Sequence, residues 1–304
     1  MATVFRRPEE KESEAGIVQE LGHSASFGGV MGREETLMWA WSEVADDGAE
    51  DSLERLVSNG KVLEKNGLLT VAGMEHLFER YGDRRISAQK RLEFGVMFLD
   101  RLRRVCPDIL MAGVSGSVSY GSSGEHDDVD ILLITRNGSL WRVLLQALLE
   151  ARAIRKMSPG SPTLCLCYSM EETAFRKEAE CHRSRLFARD FLRLRTVVGG
   201  ETYRRILADS EWMRDYYPRM FDERISETQK QAALRDSTGK GNYMEYIALG
   251  GYLAIAAAFR NARFRRDGQT DRLFRAVIGK DRCIYESVKW KKLEENLDEQ
   301  SEIN

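Results

Sequence analysis

The sequence has 304 residues, of which 42% are hydrophobic and 31% are charged, and its formal net charge is -2. This composition excludes a globally disordered chain and is typical of a soluble globular protein, while the near-neutral charge gives no overall indication of nucleic-acid binding. The length predicts roughly two or three folded units.

Neither an export signal nor a membrane span is predicted from the sequence. The first 20 residues are rich in Glu, Arg and Lys and lack an apolar core. The most apolar stretch, from Tyr246 to Phe259, has 14 residues, contains Gly250 and Gly251, and is too short to span a bilayer. The five cysteines are odd in number and scattered, which argues against a disulfide framework. We therefore expect a cytoplasmic protein without a membrane partner.

The first 106 residues are predicted to form a tail, a winged-helix-like segment and a linking helix. Residues 1–33 show no periodicity and are expected to be a flexible tail. In residues 34–106, apolar residues recur at helical spacing, and Asn66-Gly67 is a strong hairpin-turn signal. A long amphipathic helix is predicted from Ser87 to Arg104. Two helices followed by a hairpin indicate a winged helix.

The role of this segment stays open at the level of the sequence. A winged helix can bind DNA, and it can also serve as a packing or dimerisation unit. Its predicted helices carry a local cluster of carboxylates, which favours the structural role. These carboxylates are Asp46, Asp47, Glu50 and Asp51.

The first chemically informative element is a Gly-Ser turn after a buried strand. Residues 109–114 are apolar and lie between Pro107 and Gly116, which favours a strand over a helix. Gly116-Ser117 is the predicted turn into a short helix, where backbone N–H groups and the helix dipole favour a phosphate. Glycine at position 116 would let the ligand approach closely.

The second informative element is a pair of carboxylates at the start of another buried strand. Residues 129–134 are consecutively apolar, as expected of a strand covered on both faces. Because successive side chains alternate, Asp128 and Asp130 share one face. Two neighbouring carboxylates repel unless a cation lies between them, and Mg²⁺ suits such a site when substrate phosphates complete its ligands. The two elements predict metal-assisted phosphoryl or nucleotidyl transfer.

Gly116-Ser117, ten intervening residues and Asp128-Val129-Asp130-Ile131 resemble the signature of the DNA polymerase β-like nucleotidyltransferase superfamily. More loosely, the stretch from Gly67 to Trp212 resembles prokaryotic nucleotidyltransferase-domain proteins with an N-terminal winged-helix-like segment. The resemblance implies a small mixed sheet with flanking helices. It also implies a nucleoside triphosphate at the turn and Mg²⁺ or Mn²⁺ at the Asp pair. The residues implied in nucleotide binding are Gly116, Ser117, Ser119 and Tyr120, and those implied in metal binding and catalysis are Asp128 and Asp130.

The predicted third strand departs from the pattern of this superfamily. Active members commonly carry a third carboxylate on a neighbouring strand, but residues 163–169 contain none, and Cys165 and Cys167 share one face. Either another base deprotonates the acceptor, or the site binds nucleotide without rapid turnover. Other carboxylates nearby in the sequence are Glu125, Asp127, Glu171 and Glu172.

Further positive charges could assist such a site. Arg142 lies on a predicted helix from Leu140 to Ala153, where it could reach a triphosphate or lie in solvent. Residues 80–104 and 183–205 are rich in arginine. They would steer a polyanion or a triphosphate if they meet near the Asp pair, and otherwise they are solvated helix faces.

The sequence thus predicts an α+β protein with a small mixed-sheet nucleotidyltransferase core over residues 107–200 and a helical C-terminal domain over residues 201–304. In the latter, residues 243–260 are apolar nearly all round, which predicts a buried helix. The leading hypothesis is Mg²⁺-dependent transfer of a nucleoside monophosphate from a nucleoside triphosphate to RNA, protein or a small molecule. The alternative is a non-catalytic nucleotide-sensing or nucleic-acid-binding regulatory protein. A homodimer is compatible with either hypothesis.

Overall fold

The computed structural model describes residues 8–40, 46–228, 243–267 and 274–287. Helices surround two separate sheets, so the predicted α+β class is confirmed. None of the helices in these four ranges combines the length and the apolarity needed to cross a membrane.

The N-terminal unit consists of three helices and a three-stranded antiparallel sheet of order β1-β3-β2. The hairpin between β2 and β3 turns at Asn66 and Gly67, whose φ values are 54° and 73°. Two successive left-handed residues suit a tight hairpin turn, so the predicted hairpin is confirmed. The elements are α1 (Pro8–Ser26), β1 (Met31–Gly32), α2 (Arg33–Trp39), α3 (Asp46–Ser58), β2 (Val62–Lys65) and β3 (Leu68–Val71).

Helix α1 corrects the prediction of a flexible tail, which is wrong for residues 8–26. Ile17 and Leu21 are buried, and the helix packs against α3 and β3. The apolar stripe is narrow, because these two residues are flanked mainly by Glu, Ser and Gly, and it therefore gives little helical periodicity. The helix is held by tertiary packing rather than by its local sequence.

Helix α4 (His76–Val105) links the N-terminal unit to the main sheet and has 30 residues, so it begins well before the predicted Ser87. Its buried residues include Phe98 and Leu99. At Gly95 a Cβ atom would lie 2.7 Å from Val114 Cγ2, so glycine allows α4 to approach the sheet closely.

Within the described ranges, the main sheet has six strands in the order β7-β4-β5-β6-β9-β8. β5 and β6 pair in parallel, and the other neighbouring strands pair antiparallel, so the sheet is mixed. The three strands predicted around residues 109–114, 129–134 and 163–169 are confirmed. The strands are β4 (Ile109–Ser115), β5 (Val129–Thr135), β6 (Leu164–Glu171), β7 (Arg195–Val198), β8 (Phe274–Ile278) and β9 (Arg282–Ser287).

Both faces of this sheet are covered, which explains why its central strands are apolar at consecutive positions. Ile131 and Leu133 of β5 belong to one apolar cluster, and Leu132 and Ile134 belong to another. The first cluster includes residues of α4, α6 and α12, and the second includes α7 to α11 and the N-terminal unit. The helices that follow β4 are α5 (Gly116–Ser119), α6 (Leu140–Met157), α7 (Glu172–Cys181), α8 (Arg185–Leu192), α9 (Gly200–Asp209), α10 (Met213–Tyr216), α11 (Pro218–Thr228) and α12 (Tyr243–Asp267).

The predicted all-helical C-terminal domain over residues 201–304 is wrong for residues 274–287. These residues form β8 and β9, and β9 pairs with β6 through Ser169 and Cys283. The pairing partner lies more than 100 residues earlier in the chain, so local periodicity could not identify it. The C-terminal part of the chain therefore completes the main sheet.

Helix α12 was predicted to be buried on all sides, and this prediction is only half correct. Glu245, Ala248 and Tyr252 are buried at helical spacing, and the helix packs against α6. Its other face is open, because Tyr246 is 70% exposed and Ile247 52%.

Gly199→Ala is expected to lower the free energy of unfolding by about 3 kcal/mol, through left-handed backbone strain and overpacking. Gly199 has φ +74°, and a Cβ atom there would lie 1.8 Å from the carbonyl oxygen of Leu110. Urea unfolding measures the effect. Gly160→Ala is the control, because its Cβ would meet no atom within 4 Å. Equal stability of the two variants would contradict the close approach of Gly199 to β4.

Candidate functional site

The Gly-Ser turn lies directly against a carboxylate of the neighbouring strand. β4 ends at Ser115, which pairs with Asp130 of β5. Gly116 follows with φ +63°, and a Cβ atom at this position would lie 2.5 Å from Asp130 Oδ2. Only glycine satisfies both the left-handed backbone and the short approach. The structure thus brings Gly116 and Asp130 together, while the predicted close approach of a ligand to Gly116 stays a prediction.

The Asp pair lies at the start of β5, beside this turn. Val129 is fully buried, whereas Asp128 and Asp130 on either side of it are only half-buried. Alternation therefore separates the two carboxylates from the core formed by α4 and α6. Asp130 shares a face of the sheet with Leu132, at the end where that face reaches solvent.

Asp127 organises the loop between the turn and the Asp pair. Its Oδ2 accepts hydrogen bonds from the backbone N–H of Gly124 at 2.7 Å and from Ser117 Oγ at 3.3 Å. Arg84 lies 3.9 Å from the same oxygen. From the sequence, Asp127 was one of the carboxylates near the Asp pair that could replace the missing third carboxylate. In the structure its hydrogen bonds connect the loop to the Gly-Ser turn.

Two arginines of α4 fix the same loop through its carbonyl groups. Arg84 Nε donates to the carbonyl of Ser122 at 2.7 Å, and Arg91 Nε donates to the carbonyl of Asp127 at 2.9 Å. Arg91 also donates to the carbonyl of Glu125 and is buried. Charged donors form stronger hydrogen bonds than neutral ones, so these contacts hold the loop that precedes the Asp pair. The seven-residue spacing of the two arginines puts them on one face of the helix, but the sequence does not show that this face meets the loop.

Ser119 and Tyr120 follow the turn and form hydrogen bonds within the protein. Ser119 is buried, and its Oγ donates to the carbonyl of Gly116 at 2.8 Å. The Tyr120 hydroxyl donates to Asp190, and the guanidinium carbon of Arg189 lies 4.7 Å from the centroid of the Tyr120 ring. Their predicted contact with a nucleotide stays a prediction.

A buried ion cluster connects α1 to α8, whose Arg189 contacts the ring of Tyr120. Arg189 and Glu20 are 1% and 3% exposed, and their closest side-chain atoms are 2.6 Å apart. Arg193 lies 3.4 Å from Glu20 and 3.0 Å from Glu35. Burial and the nearby Arg189 lower the pKa of Arg193, while Glu20 and Glu35 raise it. Arg189 and Arg193 are therefore buried partners of glutamate side chains. For residues 183–205 the sequence predicted either a surface that steers polyanions or solvated helix faces, and neither prediction describes these two arginines.

The neighbouring strand β6 presents a thiol beside the Asp pair. Cys165 pairs with Asp130 in the parallel register, and it is a half-buried free cysteine. Side chains paired across neighbouring strands lie on the same face of a sheet. Beside Asp130 the structure therefore has a thiol on the neighbouring strand, on which active members of the resembled superfamily commonly carry a third carboxylate.

Other predicted candidates lie at the opposite end of β5. Glu171 pairs with Thr135 and accepts a hydrogen bond from Gly138 N–H at 2.7 Å, and burial raises its pKa. Arg142 forms ion pairs with Glu245 at 2.5 Å and with Asp108 at 3.5 Å. The structure therefore does not bring Glu171 or Arg142 to the Asp pair, and the proposed reach of Arg142 to a triphosphate is wrong.

A cleft of about 280 Å³ opens next to the turn, on the side of β7. Ser119 contributes to its wall, Arg193 lies on it between α8 and β7, and α2, β7 and α11 supply the rest. Its charged lining is balanced between carboxylates and guanidinium groups. The charged residues are Glu34, Glu35, Glu223, Arg193, Arg195 and Arg224.

No protein-family model matches this sequence, and searches of curated proteins and of solved structures give no match.

Proposed function

We propose that the chain is a nucleotidyltransferase that moves a nucleoside monophosphate from a nucleoside triphosphate to an acceptor. The observation that carries this proposal is the approach of Gly116 to the Asp130 carboxylate across paired strands. A phosphate held by the turn would then lie beside two carboxylates that can share a divalent cation. RNA, protein and small-molecule hydroxyls remain candidate acceptors.

We also propose specific folds for the two halves of the chain. The mixed strands β4 to β7 with their flanking helices would form a nucleotidyltransferase core. The order of helix, strand, two helices and two strands in residues 8–71 supports a winged-helix-like unit, in which α1 is the first helix. This unit would begin earlier than position 34.

The residues at the site fit Mg²⁺ or Mn²⁺. Asp128 and Asp130 offer carboxylate oxygens, which both ions prefer, and a side chain at Gly116 would close the space between the turn and Asp130. When bound, such an ion would neutralise charge on the phosphates and polarise the phosphoryl group under attack. Two carboxylates are enough when the triphosphate supplies further oxygen ligands.

The remaining contributions come from positioning. The Gly116-Ser117 turn would hold the terminal phosphates. The hydrogen bonds from Arg84 and Arg91 to backbone carbonyl groups would keep the loop before the Asp pair in one conformation. Such preorganisation accounts for most catalysis in phosphoryl transfer, because the reaction needs little covalent participation by the protein. The cleft whose wall includes Ser119 would offer space for an acceptor or a nucleobase.

A second candidate function is nucleotide sensing without rapid turnover. The observation that favours it is Cys165 beside Asp130, where a carboxylate would activate the acceptor hydroxyl. Nucleic-acid binding by the N-terminal unit is less favoured, because α3 carries five carboxylates in the sequence DDGAEDSLERLVS. Binding of nucleotide with no pyrophosphate release would support the sensing function.

Removal of the Asp pair is expected to abolish transfer. In Asp128→Ala with Asp130→Ala, the rate of pyrophosphate release from a nucleoside triphosphate in the presence of Mg²⁺ should fall by on the order of 1,000-fold. The reason is that the cation that binds the phosphates would lose its carboxylate ligands. The measurement is a coupled pyrophosphate assay with RNA, protein and small-molecule acceptors in turn. Asp222→Ala, an exposed carboxylate on α11, is the control. Wild-type turnover in the double variant would refute the assignment.

A further inference from the structure

The connection between α1 and β1 packs against the segment that follows the Gly-Ser turn. The ring of Phe27 lies edge-on to the ring of Tyr120, with 5.5 Å between the two centroids. Arg84 Nη2 donates a hydrogen bond to the carbonyl oxygen of Phe27 at 3.2 Å, and Arg84 Nε donates to the carbonyl oxygen of Ser122 at 2.7 Å. One arginine of α4 therefore joins the N-terminal unit to the segment after the turn.

The two residues after Phe27 come close to the same segment because they are glycines. Gly28 has φ +76°, and a Cβ atom there would lie 2.5 Å from Arg84 Nη2. A Cβ atom at Gly29 would lie 3.1 Å from the Cβ atom of Ser122. Larger residues at these positions would push the connection away from the segment. Residues 27–29 belong to the predicted flexible tail, and the structure instead shows a close contact there.

The side chain of Tyr120 is also held from α8. Its hydroxyl donates to Asp190, and the guanidinium carbons of Arg189 and Arg193 lie 4.7 Å and 5.1 Å from the centroid of its ring. Both distances are within the range of cation–π attraction. The two arginines are in turn paired with glutamates of α1 and α2. The N-terminal unit therefore reaches Tyr120 directly through Phe27 and indirectly through these arginines.

The backbone of Tyr120 and its neighbours holds the turn itself. The N–H of Tyr120 donates to the carbonyl oxygen of Gly116 at 3.3 Å, and the N–H of Ser122 donates to the carbonyl oxygen of Ser117 at 3.0 Å. Ser119 Oγ donates to the Gly116 carbonyl at 2.8 Å. Because a peptide is planar and trans, the orientation of the Gly116 carbonyl also sets that of the Ser117 N–H. The conformation of the turn thus depends on residues 119–122.

We propose that Tyr120 is a positioning residue through which the N-terminal unit holds the Gly116-Ser117 turn in the conformation that binds nucleotide. The ligand in this statement rests on the proposed function, whereas the chain of contacts from Phe27 to Gly116 does not. Tyr120 acts through the backbone of the turn and does not itself contact the nucleotide. A turn that is not held must be ordered when the ligand binds, and this ordering lowers affinity. The N-terminal unit therefore contributes to the site without binding nucleic acid.

The first test is amide hydrogen exchange of the full chain without nucleotide. Phe27→Leu removes the edge-on ring but keeps an apolar side chain, and Phe27 lies outside the candidate site. Exchange in residues 116–123 should become faster by roughly 2- to 10-fold, the effect of losing one aromatic pair on a local opening equilibrium. Tyr216→Leu is the matched control, because Tyr216 lies in α10 and packs edge-on against Trp212 at 6.1 Å. It should leave exchange in residues 116–123 unchanged.

The second test is the affinity for a labelled nucleoside triphosphate with Mg²⁺. Phe27→Leu should weaken binding by roughly 2- to 10-fold, and Tyr216→Leu should not. Tyr120→Phe keeps the ring contacts, so it should bind more tightly than Tyr120→Leu. Phe27→Leu combined with Tyr120→Leu should lose no more affinity than Tyr120→Leu alone, because both changes remove the same contact.

Three results would overturn the positioning role of Tyr120. One is unchanged exchange of residues 116–123 in Phe27→Leu, and another is faster exchange with the nucleotide affinity of the wild type. The third is a double variant that shows the sum of the two single losses, since Phe27 and Tyr120 would then act separately. A wild type that binds no nucleotide is a different outcome. It would contradict the proposed function, and hydrogen exchange alone would then decide whether Phe27 holds the turn.

Discussion

Replacing Glu20 by alanine is expected to lower the free energy of unfolding by about 3–5 kcal/mol, which is typical for a buried ion pair that loses one partner. Arg189 is 1% exposed, and its closest ion-pair contact is with Glu20 at 2.6 Å. Without the carboxylate, the guanidinium would remain desolvated without its main counter-charge. Urea unfolding followed by far-ultraviolet circular dichroism measures the change.

Two controls separate loss of the ion pair from loss of packing. Glu20→Leu with Arg189→Met removes both charges, and its cost should be clearly smaller than that of Glu20→Ala. Asp222→Ala removes an exposed partner of Arg214 and should change stability by less than about 1 kcal/mol. A Glu20→Ala protein as stable as Asp222→Ala would contradict the docking of α1 on α8.

Gly116→Ala is expected to weaken binding of a nucleoside triphosphate with Mg²⁺ by on the order of 100-fold, the effect of moving a site group by about 1 Å. The added Cβ would lie 2.5 Å from Asp130 Oδ2, so the carboxylate or the turn must shift. The left-handed backbone at φ +63° adds about 1–2 kcal/mol of strain to the folded state. Fluorescence titration with a labelled nucleoside triphosphate measures the affinity.

Gly60→Ala distinguishes backbone strain from damage to the site. Gly60 has φ +74°, close to that of Gly116, but a Cβ atom there would meet no atom within 4 Å. The two variants should therefore lose similar stability from strain, while only Gly116→Ala should lose affinity. Equal nucleotide affinity in both variants would mean that the Gly116 turn does not contact the phosphates.

The elements predicted correctly are those with a strong local signal. The turn at Asn66-Gly67 needs two left-handed residues, and the strands at residues 109–114 and 129–134 are consecutively apolar because helices cover both faces of the sheet. In each case the sequence pattern and the tertiary environment agree. Local reasoning succeeds under that condition.

The elements that were missed depend on contacts that are distant in the chain. Helix α1 has a narrow apolar stripe, and Glu20 meets its partner Arg189 only in the folded protein, 169 residues away. Strands β8 and β9 complete a sheet whose other strands lie far earlier in the sequence. Neither periodicity nor composition encodes such pairings.

The residues of the candidate site also include some that the sequence predicted and others that it did not. Gly116, Asp128 and Asp130 were predicted as a candidate site from their order and spacing along two strands, and the structure brings Gly116 and Asp130 together, while their chemistry stays a prediction. Arg84 and Arg91 act through backbone carbonyl groups, which any residue type can provide, and so the loop they hold gives no pattern. The position of Cys165 beside Asp130 follows from strand register, which a single sequence does not reveal.

The most direct test of the proposed nucleotide site is calorimetric titration of the full chain with a nucleoside triphosphate in the presence of Mg²⁺. The wild type is expected to bind with micromolar affinity, only when Mg²⁺ is present, and Asp128→Ala with Asp130→Ala should abolish the heat of binding. Binding of equal affinity in the double variant, or without Mg²⁺, would contradict a metal-nucleotide site at the Gly116 turn.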